Sequence, residues 1–200
     1  MNYFEWVSLF NKCAEYGGKT VEEDEQITWR YNDPGGVLPP LEQWQPLILE
    51  QYLGEGPKLR KPKKVGDSPS SGVFNLISQA AADALHDIWE KEACLYPVFL
   101  EDVPGQPYYI VTPTVSLDCL DHEKSEFGKD GQGIPYEVRQ WVIREEIVRG
   151  HDLFNIEIGN TKKKYSGYWV SERFVQRVVD AKLKGFCFLK YTGDPKPFIS

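Results

Sequence analysis

The last quarter of the chain most limits what it can fold into. Residues 168–191 read YWVSERFVQRVVDAKLKGFCFLKY: a short β-prone run, a serine, an amphipathic stretch, a glycine and a second β-prone run. Ser171 is predicted to cap a helix N-terminus, its hydroxyl accepting a first-turn amide, with Glu172 near the positive end of the helix dipole. Phe174, Val175, Val178 and Val179, followed by Leu183, are predicted to form its buried stripe. Arg173, Gln176, Arg177, Asp180 and Lys184 would form its wet face. Gly185 is predicted to end the helix at positive φ, and 186–191 to return as a strand.

A looser copy, VFNLISQAAADALHDIWEKEACLYPVFL, occupies residues 73–100. Here 73–77 is an apolar strand and Ser78 the cap. Ala81, Ala84, Leu85 and Ile88 recur at helical spacing, Asp83, His86, Asp87, Glu90 and Lys91 face away, and 96–100 returns as a strand. Two such units would share one sheet or form two related lobes.

The remainder reads mostly as strand. Candidates are 2–10, 26–31, 46–52, 106–113 and 138–144, the last followed by a helical turn at 145–149. Residues 153–158 and 165–170 suggest a hairpin closed by 159–164. Asn32-Asp33-Pro34-Gly35-Gly36 forces a turn. Residues 54–72, rich in Gly, Pro, Ser and Lys, form the least core-like stretch and are expected to be a long exposed loop. The expected fold is therefore α+β: a mixed or antiparallel sheet, or several, with a few packing helices and a repeated strand–helix–strand unit. Residues 1–200 make one domain, or two lobes (1–100 and 101–200) around the loop at 54–72.

Charge narrows the range of partners. The net charge is −7, with 15 acids against 9 bases in residues 1–100 and 15 against 14 in 101–200. Such a chain repels phosphate backbones, so no nucleic-acid partner is expected. A basic protein partner would be steered towards it. No run of eighteen apolar residues marks a membrane span, and the N-terminal segment lacks a signal-peptide pattern. The four cysteines (13, 94, 119, 187) form no C-x-x-C pair and read as reduced thiols of a cytoplasmic protein.

Only LDCLDHEKSE, residues 117–126, crowds Asp, Cys, His and Glu together. Asp118, Cys119, Asp121, His122 and Glu123 are the sole candidates for a small hydrolase or a metal-dependent enzyme. The spacing suits neither chemistry well, since sequence neighbours rarely reach nucleophile–base geometry and a metal would need further ligands. The structural alternative has Leu117 and Leu120 as anchors and Asp118 or Asp121 capping a turn. His86 and His151 read as surface residues. No nucleophile elbow, P-loop, dinucleotide fingerprint or H-E-x-x-H occurs.

Residues 73–77 with Ser78, 108–125 and 154–191 together resemble the bacterial immunity proteins of polymorphic-toxin systems. The best-matching segments are VSERF (170–174) and GFCFLKY (185–191), and the family has a comparable Leu-Asp-x-Leu-Asp segment without a catalytic role. The resemblance implies a cytoplasmic protein that binds and neutralises a cognate toxin by surface occlusion, with no catalytic residues, cofactor, metal or membrane partner. Aromatic anchors beside charge suit such a surface. Glu22, Glu23, Asp24, Glu25, Trp29, Tyr31 and Trp44 are the candidate toxin-binding residues.

Overall fold

The computed structural model describes residues 2–7, 14–18, 38–54, 61–71, 74–129, 135–158, 163–164, 167–190 and 197–199. Strands β1 (Tyr3–Trp6), β2 (Tyr16–Gly18) and β3 (Leu47–Gln51) precede the first repeated unit. That unit runs β4 (Leu76–Ser78), α1 (Gln79–Ala84), α2 (His86–Glu92), β5 (Ala93–Leu100). Then come β6 (Pro107–Pro113), β7 (Ser116–Leu117), β8 (Glu126–Lys129), β9 (Pro135–Gln140), α3 (Glu145–Val148), β10 (Leu153–Ile158) and β11 (Lys163–Lys164). The second unit is β12 (Tyr168–Ser171), α4 (Glu172–Asp180) and β13 (Cys187–Lys190), before β14 (Pro197–Ile199).

The fold is α+β. Among the described residues, β2-β3-β5-β6-β4 form one sheet, and β11-β10-β12-β1-β13-β14 form a second with β7 paired to β10. Strands β8 and β9 make a separate ribbon.

The two units share one topology. In the first, β4 and β5 are both antiparallel to β6, which lies between them, so they run parallel to each other. In the second, β12 and β13 are both antiparallel to β1, again inserted between them. Each unit is thus a split β–α–β in its own sheet. The inserted strand comes from just downstream in one and from the N-terminus in the other.

The helices fill the space between the sheets. Ile77 and Val111 from the first sheet, Trp6, Tyr168, Val170 and Phe188 from the second, and Leu85, Ile88, Trp89, Phe174 and Val178 from the helices form one buried cluster. Strand alternation builds two outer clusters. Leu76, Tyr96, Val98 and Leu100 face the far side of the first sheet. Tyr3, Phe154, Ile156 and Trp169 face the far side of the second, covered by Leu120, Val138 and Val148.

Both serines cap as predicted: Ser78 Oγ accepts Ala81 N–H at 3.2 Å and Ser171 Oγ accepts Phe174 N–H at 3.1 Å. Other expectations need correction. The first helix breaks at Leu85 (φ −117°, ψ 22°), where the Trp89 indole N–H and Leu85 N–H both donate to the Ala81 carbonyl. Helix α4 stops at Asp180, with Lys182 at φ 54° taking the left-handed turn expected of Gly185. Gly185, at φ 93°, instead lies against the Ser68 backbone, which its absent Cβ would meet at 3.1 Å. Val179 is exposed; at 100° per residue it falls 140° from Phe174, off the stripe. The strand expected at 138–144 is Pro135–Gln140, with Ile143 forming only an isolated bridge to Leu120.

The stretch 54–72 is not wholly exposed. Ser68 and Ser70 are buried, and Asp67 joins the two units. Its carboxylate accepts the Ser78 hydroxyl (2.7 Å) and Lys184 N–H (2.8 Å), its N–H donates to Lys184 O (2.6 Å), and its carbonyl accepts Ser78 N–H (2.9 Å). Small polar residues suit this site, because hydrogen bonds satisfy the buried backbone without needing apolar bulk.

Burial raises the hydroxyl pKa values of Tyr3, Tyr16, Tyr96 and Tyr108 above the ordinary 10.0. The neutral hydroxyls donate, Tyr3 to Val148 O at 2.8 Å and Tyr16 to the Asp102 carboxylate at 2.9 Å. Groups with raised folded pKa contribute stability below the unfolded value and lose it as pH climbs. Stability should therefore fall above pH 10, with tyrosinate absorbance at 295 nm rising together with the loss of circular dichroism. Smooth titration near pH 10 with the fold intact would contradict this.

Candidate functional site

The loop at 117–126 is assembled by backbone hydrogen bonds. Arg144 N–H donates to Cys119 O and Asp121 N–H to Val142 O, both at 2.8 Å. Asp121 Oδ1 accepts the Glu123 and Lys124 N–H groups at 3.2 Å, and Ser125 N–H returns to Asp121 O at 2.8 Å. Asp121 therefore caps a turn, with Lys124 Nζ at 2.7 Å holding its carboxyl below the usual range.

The candidate nucleophile and base are separated. Cys119 lies in the outer core with Tyr3, Phe154 and Trp169, and burial pushes its thiol up to about 12. His122 sits on the surface, stacked on Phe127 at 5.6 Å, with Nε2 3.2 Å from Asp118 Oδ1. Asp118 also receives Arg144, which bonds its carbonyl and lies 3.6 Å from its carboxylate. Among the described residues no cluster of three or more His, Cys, Asp or Glu side chains is placed to hold a metal ion. A thiol so raised stays protonated, and so unreactive, at neutral pH. N-ethylmaleimide should accordingly label half-buried Cys94 in the native protein and reach Cys119 only after unfolding, as read by mass spectrometry. Rapid native labelling of Cys119 would contradict the burial.

Of the candidate binding residues, Glu22, Glu23, Asp24, Glu25, Trp29 and Tyr31 lie outside the described residues. Trp44 is half-buried: its indole N–H donates to Pro97 O at 2.8 Å and its ring meets Tyr96 edge-on at 5.1 Å. Those contacts fasten the 38–46 segment to the first sheet.

A different surface carries exposed apolar groups. Strands β3 and β5 are parallel, in the register Leu47↔Val98, Ile48↔Phe99, Leu49↔Leu100. Leu49, Val98 and Leu100 point into the outer core, so Ile48 and Phe99 point the other way, side by side. Ile48 is 51% and Phe99 42% exposed. Pro107 pairs with Phe99 from the next strand. Beyond them, on the same face by alternation, stand exposed Glu50 and Tyr52 along β3 and exposed Glu101 after β5.

Residues 53–192 match the model of the immunity protein family Imm11. The chain belongs to this immunity protein family. A comparison with curated proteins finds no match.

The match covers both split β–α–β units of the immunity protein and its Asp118–Glu123 loop. It begins after β3, so Ile48 lies before the matched stretch and Phe99 within it. The Ile48–Phe99 pair escaped the sequence reading, because alternation places Ile48 opposite Leu49 without saying how far along their face the helices reach. The available hint was Phe99 itself, a large ring directly before Leu-Glu-Asp.

Proposed function

We propose that this immunity protein neutralises a cognate bacterial toxin by binding it and covering its working surface, acting in the cytoplasm of the cell that makes the toxin and turning over no substrate itself. The family match over residues 53–192 carries this reading. The loop at 117–126 supports it, because Asp121 is used as the cap of the turn and Cys119 is buried in the outer core while His122 lies on the surface. The net charge of −7 favours a basic toxin such as a nuclease, to which an acidic inhibitor offers a mimic of the phosphate backbone.

The reading expects a toxin gene immediately upstream of this chain's own, and the test is co-expression with the C-terminal domain of its product. Host growth should be restored and the two proteins should co-purify one to one. Unrelieved killing, with both proteins soluble, would overturn the proposal. His122→Ala should protect as well as the parent; loss of protection by a folded His122→Ala protein would favour the enzymatic alternative.

A further inference from the structure

We infer that the face of the first sheet around Ile48 and Phe99 is the docking surface for the toxin, and that its occupant is a basic protein surface presenting an apolar side chain between lysines or arginines. This inference rests on the immunity reading and adds a location and a partner chemistry to it.

Helices α1 and α2 cover only part of this sheet face. Leu95 and Tyr109 pack against the central core, and the Tyr109 hydroxyl donates to Gln79 at the start of α1. Farther along β5 and across to β3 this cover ends, and Ile48, Phe99 and Tyr52 stand exposed. Adjacent strands hold the first two together, so they form one platform rather than scattered residues. On the far side β3 pairs with β2, whose Gly17 lies opposite Glu50 and offers no side chain over that end of the row.

Charge selects the occupant. Glu101 N–H bonds Leu49 O, which brings Glu101 beside Glu50 at the end of the apolar row. Exposed Asp83 lies on α1, and the first hundred residues carry 15 acids against 9 bases. An apolar row ending in two adjacent carboxylates, Glu50 and Glu101, matches a basic partner group and repels an acidic one. A second copy of this chain would bring acid against acid.

The experiment uses the full chain and the upstream-encoded toxin domain, measuring protection in cells and affinity by calorimetry. Ile48→Ser/Phe99→Ser should weaken binding at least about 100-fold, since central aromatic anchors dominate such interfaces. Glu50→Lys/Glu101→Lys should slow association about tenfold or more, an effect that shrinks in high salt. Val179→Ser, at an exposed position of α4, should bind as the parent does. Thermal melting confirms that each variant is folded. If the parent protects and binds while Ile48→Ser/Phe99→Ser does so equally well, the docking surface is overturned and the immunity reading stands. If the parent neither protects nor binds, both fall. A self-association of the isolated parent that Ile48→Ser/Phe99→Ser abolishes would assign the face to a second copy and overturn the inference.

Discussion

Trp6→Ala should lower folding stability by about 3–5 kcal/mol, the usual cost of truncating a large buried ring. In a chain of this size that corresponds to a fall in melting temperature on the order of 10 °C. Trp6 is 2% exposed. Its ring centroid lies 5.1 Å from Phe186, 5.7 Å from Phe174, 6.0 Å from Tyr168 and 6.2 Å from Trp89. These neighbours come from both repeated units, so the cavity would open where the two sheets meet over the helices. Denaturant unfolding monitored by fluorescence gives the measurement. Trp6→Phe should retain most of the stability, because one ring still fills much of the space. A loss below about 1 kcal/mol for Trp6→Ala would mean that the two sheets do not share this core.

Glu92→Ala should be nearly as damaging, by about 2–4 kcal/mol, for a different reason. Glu92 is 1% exposed at the end of α2. Its Oε2 accepts the Asp152 and Leu153 N–H groups at 2.7 and 2.8 Å, while Oε1 lies 3.1 Å from His151 Nδ1 and 3.3 Å from Lys91 Nζ. The carboxylate thus binds the start of β10, in the second sheet, to the helical unit of the first. Alanine leaves two amide donors without that acceptor, which costs more than the lost hydrogen bonds alone. Glu92→Gln should be milder, since an amide oxygen can occupy the Oε2 position. Chemical denaturation compares the three proteins; equal losses for Ala and Gln would show that the amide contacts contribute little.

Neighbouring charges do less. Arg173 bridges Asp87 and Asp152, and Arg177 reaches Asp87 at 3.0 Å and the Ala84 carbonyl, tying α2 to α4. The Arg177 and Arg173 guanidiniums hold the Asp87 carboxyl below its ordinary range. Asp87 and its two arginines remain roughly half exposed, so water screens these pairs and they orient the helices more than they stabilise them.

Local pattern revealed the parts whose causes are local. The serine caps, the Phe174–Val178 stripe and the strand Leu153–Ile158 follow from side-chain chemistry within a few residues, and the structure contains them. The break at Leu85 was hidden because it turns on the Trp89 indole sharing the Ala81 carbonyl, a contact that helical periodicity does not encode. The register between β3 and β5, and with it the exposed Ile48–Phe99 pair, depends on strands separated by the whole first helical unit. The loop at 117–126 is partly legible: the pattern offers Asp118 or Asp121 as a turn cap and Asp121 is the one that caps, whereas the withdrawal of Cys119 into the outer core requires knowing that β10 and β12 pass beneath it.

The position of β1 bears on how the protein is made. Strand β1 lies between two strands more than 160 residues downstream of it, its Phe4 aligned with Val170 on one side and Lys190 on the other. Until residues 168–190 have been translated, Trp6 has no complete site to enter, and the large sheet cannot close. Pairings this remote in sequence are reached slowly, so this sheet forms only from a chain that already extends through Lys190.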